Sequence, residues 1–327
     1  GGSGGIATAQ FTGGDAFVDG THPLLTIGGT QDNGTQVSQA PALGAWPMVL
    51  GGDGGFAQID PSDPLKMYTE QFGTSVRRST NGGTSWAVGT NGLAGTPLFY
   101  APLVLDRSTS GHLAWGSTAV YETVNGAGSW YQSSNVAISG HVSAIAFSNS
   151  SVIWAGTDDG HLYRTTAGNT GALTTWTEVS IPDATAHSRF VSDIATDPAD
   201  PLRAVAVLGA AYRGWNPRGY VWQTSDGGAT WTDIGATLPA YPFTTALLYH
   251  SGSARVIVLG TDYGVVASAD DGAHWATMNA HLPAAGVVDL ARTSDGSAIV
   301  AFTHGRGAFL AAPPVADSTP PTATITL

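Results

Sequence analysis

The chain alternates short apolar runs with turns rich in glycine, asparagine and aspartate along most of its length. Apolar and polar positions alternate over residues 152–156 and again over 161–165, with a turn between them. The same arrangement recurs at 255–259 and 265–268. Short runs with a period of two, separated by turn residues, are typical of β-hairpins. The pattern therefore predicts antiparallel strands joined by tight turns.

One turn sequence recurs through the chain. The copy at 79–86 reads STNGGTSW, related copies lie at 123–130, 224–231 and 268–275, and a stretched copy ends at Trp176. The tryptophans that end these copies are about 44 to 55 residues apart, which is the length of one four-stranded blade. In each copy Asn or Asp caps the turn, glycine supplies its backbone conformation, and tryptophan anchors the next strand.

The repeat length predicts an all-β chain that folds as a single β-propeller of about seven four-stranded antiparallel blades. A propeller of six or of eight blades is also compatible with the sequence. We assign the blades to residues 6–47, 48–90, 95–134, 141–180, 188–236, 243–280 and 286–312. The last blade is one strand short in this assignment. We expect the segment 6–11 to supply that strand and close the ring, since closure removes an exposed sheet edge.

The two ends of the chain differ in composition from the propeller at 6–312. Residues 1–5 read GGSGG, as in a flexible linker, and the segment 313–327 begins with a proline-rich spacer. Its last residues, 322–327, alternate like a first strand and resemble the entry into bacterial immunoglobulin-like modules. No apolar run approaches the length of a membrane span. We therefore expect a module of a larger secreted or cell-surface protein.

Composition narrows the possible partners. The chain has 44 glycines, a single lysine, three glutamates and no cysteine. With few helix-forming residues, it is expected to contain almost no helix. The formal charge of −12 disfavours nucleic acid and anionic membranes as partners. The absence of cysteine excludes disulfides and thiolate metal sites.

The repeated turns resemble the Asp-box, or bacterial neuraminidase repeat, of sialidases, xyloglucan hydrolases, sortilin-type receptors and photosystem assembly factors. The segments GGTQDNG at 28–34, GGDGGF at 51–56 and HGRG at 304–307 further resemble secreted, sortilin-like bacterial propellers. This resemblance implies an architecture. It leaves the activity open, because one fold carries hydrolases, receptors and scaffolds alike.

Topology predicts where a ligand would bind. The repeated turns join the third and fourth strands of their blades, and a second set of connections must lie on the opposite face. Ligand sites of propellers are expected at the mouth of the channel. The residues that we expect on that face are Gln31, Asp32, Asn33, Asp53, Glu70, Asp158, Tyr212, Trp215, Asp262, Tyr263, His304 and Arg306.

As catalytic groups, Asp53 and Asp32 would form the acid and base, or acid and nucleophile, of a glycoside hydrolase. The segment 52–56 is similar to one that carries a catalytic aspartate in xyloglucan hydrolases. Those enzymes place their two catalytic acids on two facing propellers, whereas the sequence of this chain predicts a single propeller. The same carboxylates would equally serve to cap turns. A sialidase is disfavoured because no arginine precedes Arg77.

A binding module needs only aromatic platforms and short polar groups. Tyr212, Trp215 and Tyr263 would stack on a sugar or a peptide, and His304 or Arg306 would hydrogen-bond to it. We therefore hypothesise a non-catalytic recognition or scaffold module that binds a glycan or an extracellular protein. The alternative is a glycoside hydrolase acting on a plant or microbial polysaccharide.

The sequence indicates no cofactor. Its nine histidines form no zinc-binding motif. The acidic turns at 158–160 and 270–272 offer oxygen ligands, so a structural calcium ion is compatible with the sequence.

Overall fold

The chain forms seven antiparallel β-sheets. The computed structural model describes residues 9–39, 45–186, 188–211, 220–239, 242–280 and 282–315. Within them lie 27 strands and one helical turn, α1 (Pro182–Ala186). Six sheets contain four strands each, and the seventh contains three among the described residues. The expected scarcity of helix is confirmed.

Each sheet is a consecutive stretch of the chain, with its strands in sequence order. Blade 1 comprises β1 (Phe11–Phe17), β2 (Leu25–Thr30), β3 (Gly34–Ser38) and β4 (Met48–Leu50). Blade 2 comprises β5 (Gly54–Ile59), β6 (Met67–Gln71), β7 (Val76–Ser79) and β8 (Ala87–Val88). Blade 3 comprises β9 (Leu103–Leu105), β10 (Leu113–Gly116), β11 (Val120–Thr123) and β12 (Tyr131–Gln132). Blade 4 comprises β13 (Val142–Phe147), β14 (Ile153–Thr157), β15 (Leu162–Thr165) and β16 (Trp176–Glu178).

The remaining blades follow the same plan. Blade 5 comprises β17 (Arg189–Asp197), β18 (Asp200–Ala211), β19 (Val221–Thr224) and β20 (Thr232–Asp233). Blade 6 comprises β21 (Phe243–Ser251), β22 (Ala254–Thr261), β23 (Gly264–Ser268) and β24 (Ala276–Thr277). Blade 7 comprises β25 (Val287–Arg292), β26 (Ile299–Thr303) and β27 (Gly307–Ala311).

The sheets form a closed ring. The first strand of each blade contacts the first strand of the next, and β25 of the last blade contacts β1. The first strands therefore surround a central channel, and the later strands lie successively further out. The prediction of a seven-bladed, all-β propeller is confirmed.

Two details of the sequence-based blade assignment concern the first blade. The boundary between residues 47 and 48 is wrong, because β4 pairs with β3 and so belongs to blade 1. Phe11, which we expected in the closing strand, begins β1 instead. Gln10 forms an antiparallel bridge with His304 of blade 7. The rest of the expected closing strand, residues 6–8, lies outside the described residues.

The connections between strands fall on two faces. We call the upper face the one that carries the turns between second and third strands and the connections from one blade to the next. The lower face carries the turns between first and second and between third and fourth strands. Because consecutive strands are antiparallel, these two sets of connections lie at opposite ends. The five repeated turns lie on the lower face, as predicted.

The repeated turns share one hydrogen-bond network. In blade 2, the Ser79 hydroxyl accepts the Gly83 N–H at 3.0 Å, and Asn81 Oδ1 accepts the Ser85 N–H at 2.9 Å. Gly82 and Gly83 both have positive φ angles, which glycine adopts without steric cost. The equivalent Asp226 and Asp270 accept the N–H groups of Thr230 and His274, each at 2.9 Å. The polar residues of these copies are therefore structural.

The tryptophan that ends each repeated turn packs against the preceding blade. The indole N–H groups of Trp130, Trp231 and Trp275 donate to the carbonyls of Gly89, Val179 and Ile234 at 2.7, 2.8 and 3.1 Å. Trp46, which no copy of the repeated turn precedes, packs between blades 7 and 1 against Phe11 and Phe302. Each of blades 1 to 6 thus contributes one tryptophan that packs against the preceding blade of the ring.

The glycine pairs near residues 28 and 54 allow blades 1 and 2 to approach closely. A side chain at Gly29 would begin 1.9 Å from the Gly55 carbonyl oxygen, and one at Gly54 would begin 2.5 Å from that of Gly34. Backbone thus meets backbone at these positions, and no larger residue fits without displacing a strand. Packing alone explains these glycines of the GGTQDNG and GGDGGF segments.

Candidate functional site

The predicted ligand-binding residues within the described part of the chain belong to upper-face connections or lie beside them. Gln31, Asp32 and Asn33 are exposed in the β2–β3 turn, and Asp53 is half-buried between β4 and β5. Asp158, Asp262, Tyr263, His304 and Arg306 lie in the equivalent turns of blades 4, 6 and 7. Tyr212 and Trp215 lie outside the described residues.

Contacts between blades bring one part of this group together. Gln10 O accepts the Gln31 N–H at 3.1 Å, and Gln10 itself bridges to His304. The His304 N–H in turn donates to the Gly286 carbonyl at 2.8 Å. The predicted residues of blades 7 and 1 therefore adjoin at the face, whereas Asp158 belongs to blade 4, further round the ring.

Asp32 and Asp53 meet, as the hydrolase hypothesis requires. Asp53 Oδ1 accepts the Asp32 backbone N–H at 2.8 Å, which ties the turn of blade 1 to the connection that enters blade 2. Asp32 has a φ of 61°, a left-handed conformation that aspartate tolerates better than most residues. One oxygen of Asp53 thus caps a backbone amide, and the side chain of Asp32 projects from an exposed turn.

Gln71 fixes the connection that carries Asp53. Its amide nitrogen donates to the Gly51 carbonyl at 2.5 Å, and its amide oxygen accepts the Ser75 hydroxyl at 3.2 Å. Arg77 donates to the same oxygen at 3.3 Å. The position of Asp53 is therefore set by a side chain at the end of β6.

Glu70 does not face a ligand, contrary to the prediction. Its side chain has no exposed surface and lies beneath the turn, against Gly55 and Tyr100. Burial raises the pKa of Glu70 to about 10, although the N–H groups of Ala101 and Phe56 act in the opposite direction. The group is therefore a neutral acid at pH 7, and it supports the site from below.

An exposed aromatic group that the sequence analysis did not predict lies on the same face, in the β6–β7 turn and the connection that enters blade 3. Phe72 and Phe99 stack with ring centres 5.7 Å apart, and their exposed fractions are 54% and 58%. Tyr100 meets Phe99 edge to face at 4.8 Å. The Gly73 N–H donates to the Phe99 carbonyl at 2.8 Å, which joins the turn of blade 2 to the connection that enters blade 3.

Tyr100 links the aromatic group to the acids. Burial raises its pKa to about 12, and the charges of Asp53, Glu70 and Asp32 act in the same direction. Its hydroxyl has no hydrogen-bond partner among the described residues. We call Asp32, Asp53, Phe72, Phe99 and Tyr100 the upper-face site.

The acidic turn of blade 4 is occupied by the protein's own groups. Asp158 accepts the His141 backbone N–H at 2.8 Å and contacts the His141 ring at 3.0 Å. Asp159 accepts the hydroxyls of Thr157 and Ser139, both at 2.6 Å. These carboxylates cap the turn, as the structural alternative predicted.

Two further acids line the central channel. Asp193 and Asp289 lie on the first strands of blades 5 and 7 and border a channel cavity of 540 Å³. Burial raises their pKa values to about 6 and about 8, against the effect of backbone N–H donors. Asp289 Oδ2 accepts the Gly14 N–H of blade 1 at 2.8 Å, and Asp193 Oδ2 accepts the Ala246 N–H of blade 6 at 2.9 Å. These acids join neighbouring blades.

No three His, Asp or Glu side chains of the described residues come together in an arrangement that could hold a metal ion. No described helix has the length and apolar character needed to cross a membrane.

Comparisons with known proteins identify the fold. No protein-family model matches the chain, and no curated protein matches it. Solved structures do match. An ancestral GH74 enzyme superposes with a TM-score of 0.71 at 16% identity, covering 94% of this chain and 45% of that one. The GH74 xyloglucanase from Xanthomonas campestris gives 0.66 at 15% identity, covering 93% and 52%.

A second group of similar structures has about the same length as this chain. Ycf48 from Cyanidioschyzon merolae superposes with a TM-score of 0.66 at 12% identity, covering 93% of this chain and 95% of that one. Ycf48 bound to a D1 peptide gives 0.63 at 14% identity. The chain thus spans about half the length of the GH74 enzymes. At these identities the likeness shows the propeller fold.

Proposed function

We propose that this propeller is a non-catalytic recognition module that binds a neutral glycan at the upper-face site. The observation that carries the proposal is the exposed, stacked pair of Phe72 and Phe99, which Tyr100 connects to Asp53. Contiguous exposed apolar groups mark binding sites, whereas single exposed apolar side chains are common on protein surfaces. Their faces match the apolar faces of sugar rings.

The polar part of the site suits hydroxyl groups. The free oxygen of Asp53 and the exposed Asp32 carboxylate offer hydrogen bonds to a ligand at the junction of blades 1 and 2. The Tyr100 hydroxyl is buried and unpaired among the described residues, so it supports the aromatic group from below. Two acids and a net charge of −12 repel acidic sugars and nucleic acid. A neutral polysaccharide is therefore the ligand class that fits this surface best.

The same geometry weighs against catalysis. A hydrolase needs two carboxyl groups that both reach the scissile bond, with a raised pKa on the acid. Asp53 uses one oxygen on a backbone amide, and the neutral acid in the neighbourhood, Glu70, is buried. Asp32 and Asp53 nevertheless adjoin, and two GH74 enzymes share the fold. A glycoside hydrolase is therefore the second candidate.

The binding proposal is tested by a panel of neutral polysaccharides, including xyloglucan, cellulose and mannan, with retention and affinity measured for the wild-type protein. We expect the Phe72→Ala, Phe99→Ala double variant to bind at least about tenfold more weakly, since each aromatic contact contributes on the order of 1 kcal/mol. Leu65→Ala removes an exposed apolar residue from the lower face of the same blade and should bind normally.

The same samples distinguish the alternatives. Release of reducing sugar that is lost in Asp53→Asn would establish the hydrolase and overturn the module. Binding to none of the neutral glycans would contradict a glycan ligand and favour a protein partner. Retention that persists in 0.5 M salt supports the proposal, because contacts to a neutral ligand are little screened (the Debye length at about 1 M is roughly 3 Å).

A further inference from the structure

An apolar cavity lies between the outer parts of blades 6 and 7. Its volume is 330 Å³. Val265, Met278 and Leu282 line it from blade 6 and the connection that follows, and Ile299 and Phe309 line it from blade 7. An apolar cavity of about 150 Å³ is enough to bind benzene. This one therefore has room for a larger aromatic ring.

The corresponding space between blades 5 and 6 is filled by the ring of Trp275. The strand registers make the two spaces equivalent: Val266 pairs with Leu259 in blade 6 as Phe309 pairs with Ala301 in blade 7. The Met278 N–H donates to Val265 as the Ile234 N–H donates to Val221. By this equivalence Val265, Met278, Leu282, Ile299 and Phe309 correspond to Val221, Ile234, Leu238, Ile257 and Val266.

The cavity also offers a hydrogen-bond acceptor for an indole N–H, namely the Met278 carbonyl. In the filled spaces the indole N–H reaches the carbonyl of the residue that Met278 corresponds to, namely Gly89, Val179 or Ile234. Blade 7, from Val287 to Ala311, contains no tryptophan that could reach the Met278 carbonyl. The cavity thus combines apolar walls with one carbonyl acceptor. The same arrangement surrounds three of the protein's own indole rings.

The occupant has to come from outside blade 7. In blades 1 to 6 the tryptophan belongs to the fourth strand or immediately precedes it, and β27 is the outermost strand of blade 7 among the described residues. Residues 1–8 and 316–327 contain no aromatic side chain. The terminal segments therefore cannot supply the missing ring.

We propose that this cavity binds a tryptophan side chain carried by an extended segment of a partner polypeptide. The segment pairs with β27 opposite Phe309 and Leu310, where β24 pairs with Val266 and Ala267 in blade 6. This is the edge that the sequence predicts for residues 6–8, so the partner segment competes with them for it. The indole enters the cavity and donates its N–H to the Met278 carbonyl. Strand addition of this kind gives affinity through main-chain bonds and specificity through one pocket.

The experiment uses the protein's own strand as the probe. A labelled peptide with the sequence of residues 226–235, DGGATWTDIG, is titrated with the intact protein and followed by fluorescence anisotropy. We expect saturable binding that weakens at least about tenfold when alanine replaces tryptophan in the peptide, as for a buried aromatic anchor. Free indole serves as a second ligand and separates ring recognition from strand pairing.

Variants of the protein locate the binding. Ala301→Phe places a ring inside the cavity and should abolish peptide binding, whereas Ala229→Phe, on an exposed turn of blade 5, should leave it unchanged. Should Ala301→Phe fail to fold, Leu282→Glu puts a charge at the half-exposed rim with the same expected effect. Equal binding of the tryptophan and alanine peptides, or binding that survives both cavity variants, would overturn the proposal. Hydrogen exchange must show the β27 amides protected by the peptide.

Discussion

His112 is a buried titratable residue between two carboxylates. Its ring is fully buried and lies between Asp106, at 2.9 Å from Nδ1, and Glu122, at 2.8 Å from Nε2. Burial alone would lower the pKa of His112, but the two carboxylates outweigh it and raise the pKa. The two carboxylates therefore favour the protonated form of the ring, and the three groups form one hydrogen-bonded network inside blade 3.

Replacing His112 by glutamine should be strongly destabilising. The change leaves two buried carboxylates facing a neutral group, which costs about 3–5 kcal/mol when one partner of a buried ion pair is removed. Urea unfolding at pH 6 measures the loss. His274→Gln removes an exposed partner of Asp270 and should stay within about 0.5 kcal/mol of the wild type. A small loss for His112→Gln would show that the ring is neutral and weakly bound.

Some residues of the upper-face site could be predicted from the sequence, and others could not. Asp32 and Asp53 were expected to adjoin because strand order alone puts their connections on one face. Phe72 and Phe99 were missed, since their exposure depends on how one turn packs against a connection twenty-odd residues later, and no periodicity records this. Glu70 was expected at the surface, but the neighbouring Gly55 lets its carboxyl lie underneath.

At the scale of the element, the repeated turn is the feature from which the blades could be predicted. Its capping residue, positive-φ glycines and tryptophan all recur, so the blades that carry it were located correctly. Blade 1 carries no copy, and there the boundary was misplaced by the short strand β4. Trp46 stands one blade length before Trp86 and was the available signal.

Loss of one capping side chain should therefore weaken a blade measurably. Asn81→Ala removes the acceptor of the Ser85 N–H and the partner of the Ser79 hydroxyl, and we expect the free energy of unfolding to fall by about 1–2 kcal/mol. Thr80, the exposed residue beside it, provides the control, and Thr80→Ala should have almost no effect. Chemical denaturation of the three proteins gives the comparison. Equal stability of Asn81→Ala and wild type would refute the capping role.

At the scale of the whole molecule, carboxylates on the first strands join the blades around the channel. Asp15, Asp193 and Asp289 each bond to a backbone N–H of the following blade, namely that of Ile59, Ala246 or Gly14. Asp193 and Asp289 have raised pKa values, about 6 and about 8. A group with a raised pKa stabilises the fold below its unfolded value, near 3.8, and this stability is lost as the pH rises through the folded value.

The ring should therefore lose stability from about pH 4, near the unfolded pKa, up to about pH 8, the folded pKa of Asp289. Asp289→Asn removes the ionisation, so we expect its melting temperature to match that of the wild type near pH 4 and to exceed it by a few degrees at pH 8 and above. Differential scanning calorimetry across the range tests this. Asp295→Asn changes an exposed turn carboxylate whose pKa is lowered, and it should reproduce the wild-type trend above pH 6. Parallel curves for Asp289→Asn and wild type would contradict the assignment.

The contact of Gly14 with Asp289 has a consequence for biosynthesis. Residues 275 positions apart must meet to complete the ring, and Val18 and Ser294 meet in the same seam. A nascent chain emerges from its amino end, so β1 is made first and then waits, with the apolar side of Phe11 uncovered, until β25 and β26 have left the ribosome. Contacts of such long range form slowly. Blade 2 covers one side of this earliest blade at once, but its other side is the last surface of the ring to be buried, and during translation that side is a natural target for a chaperone.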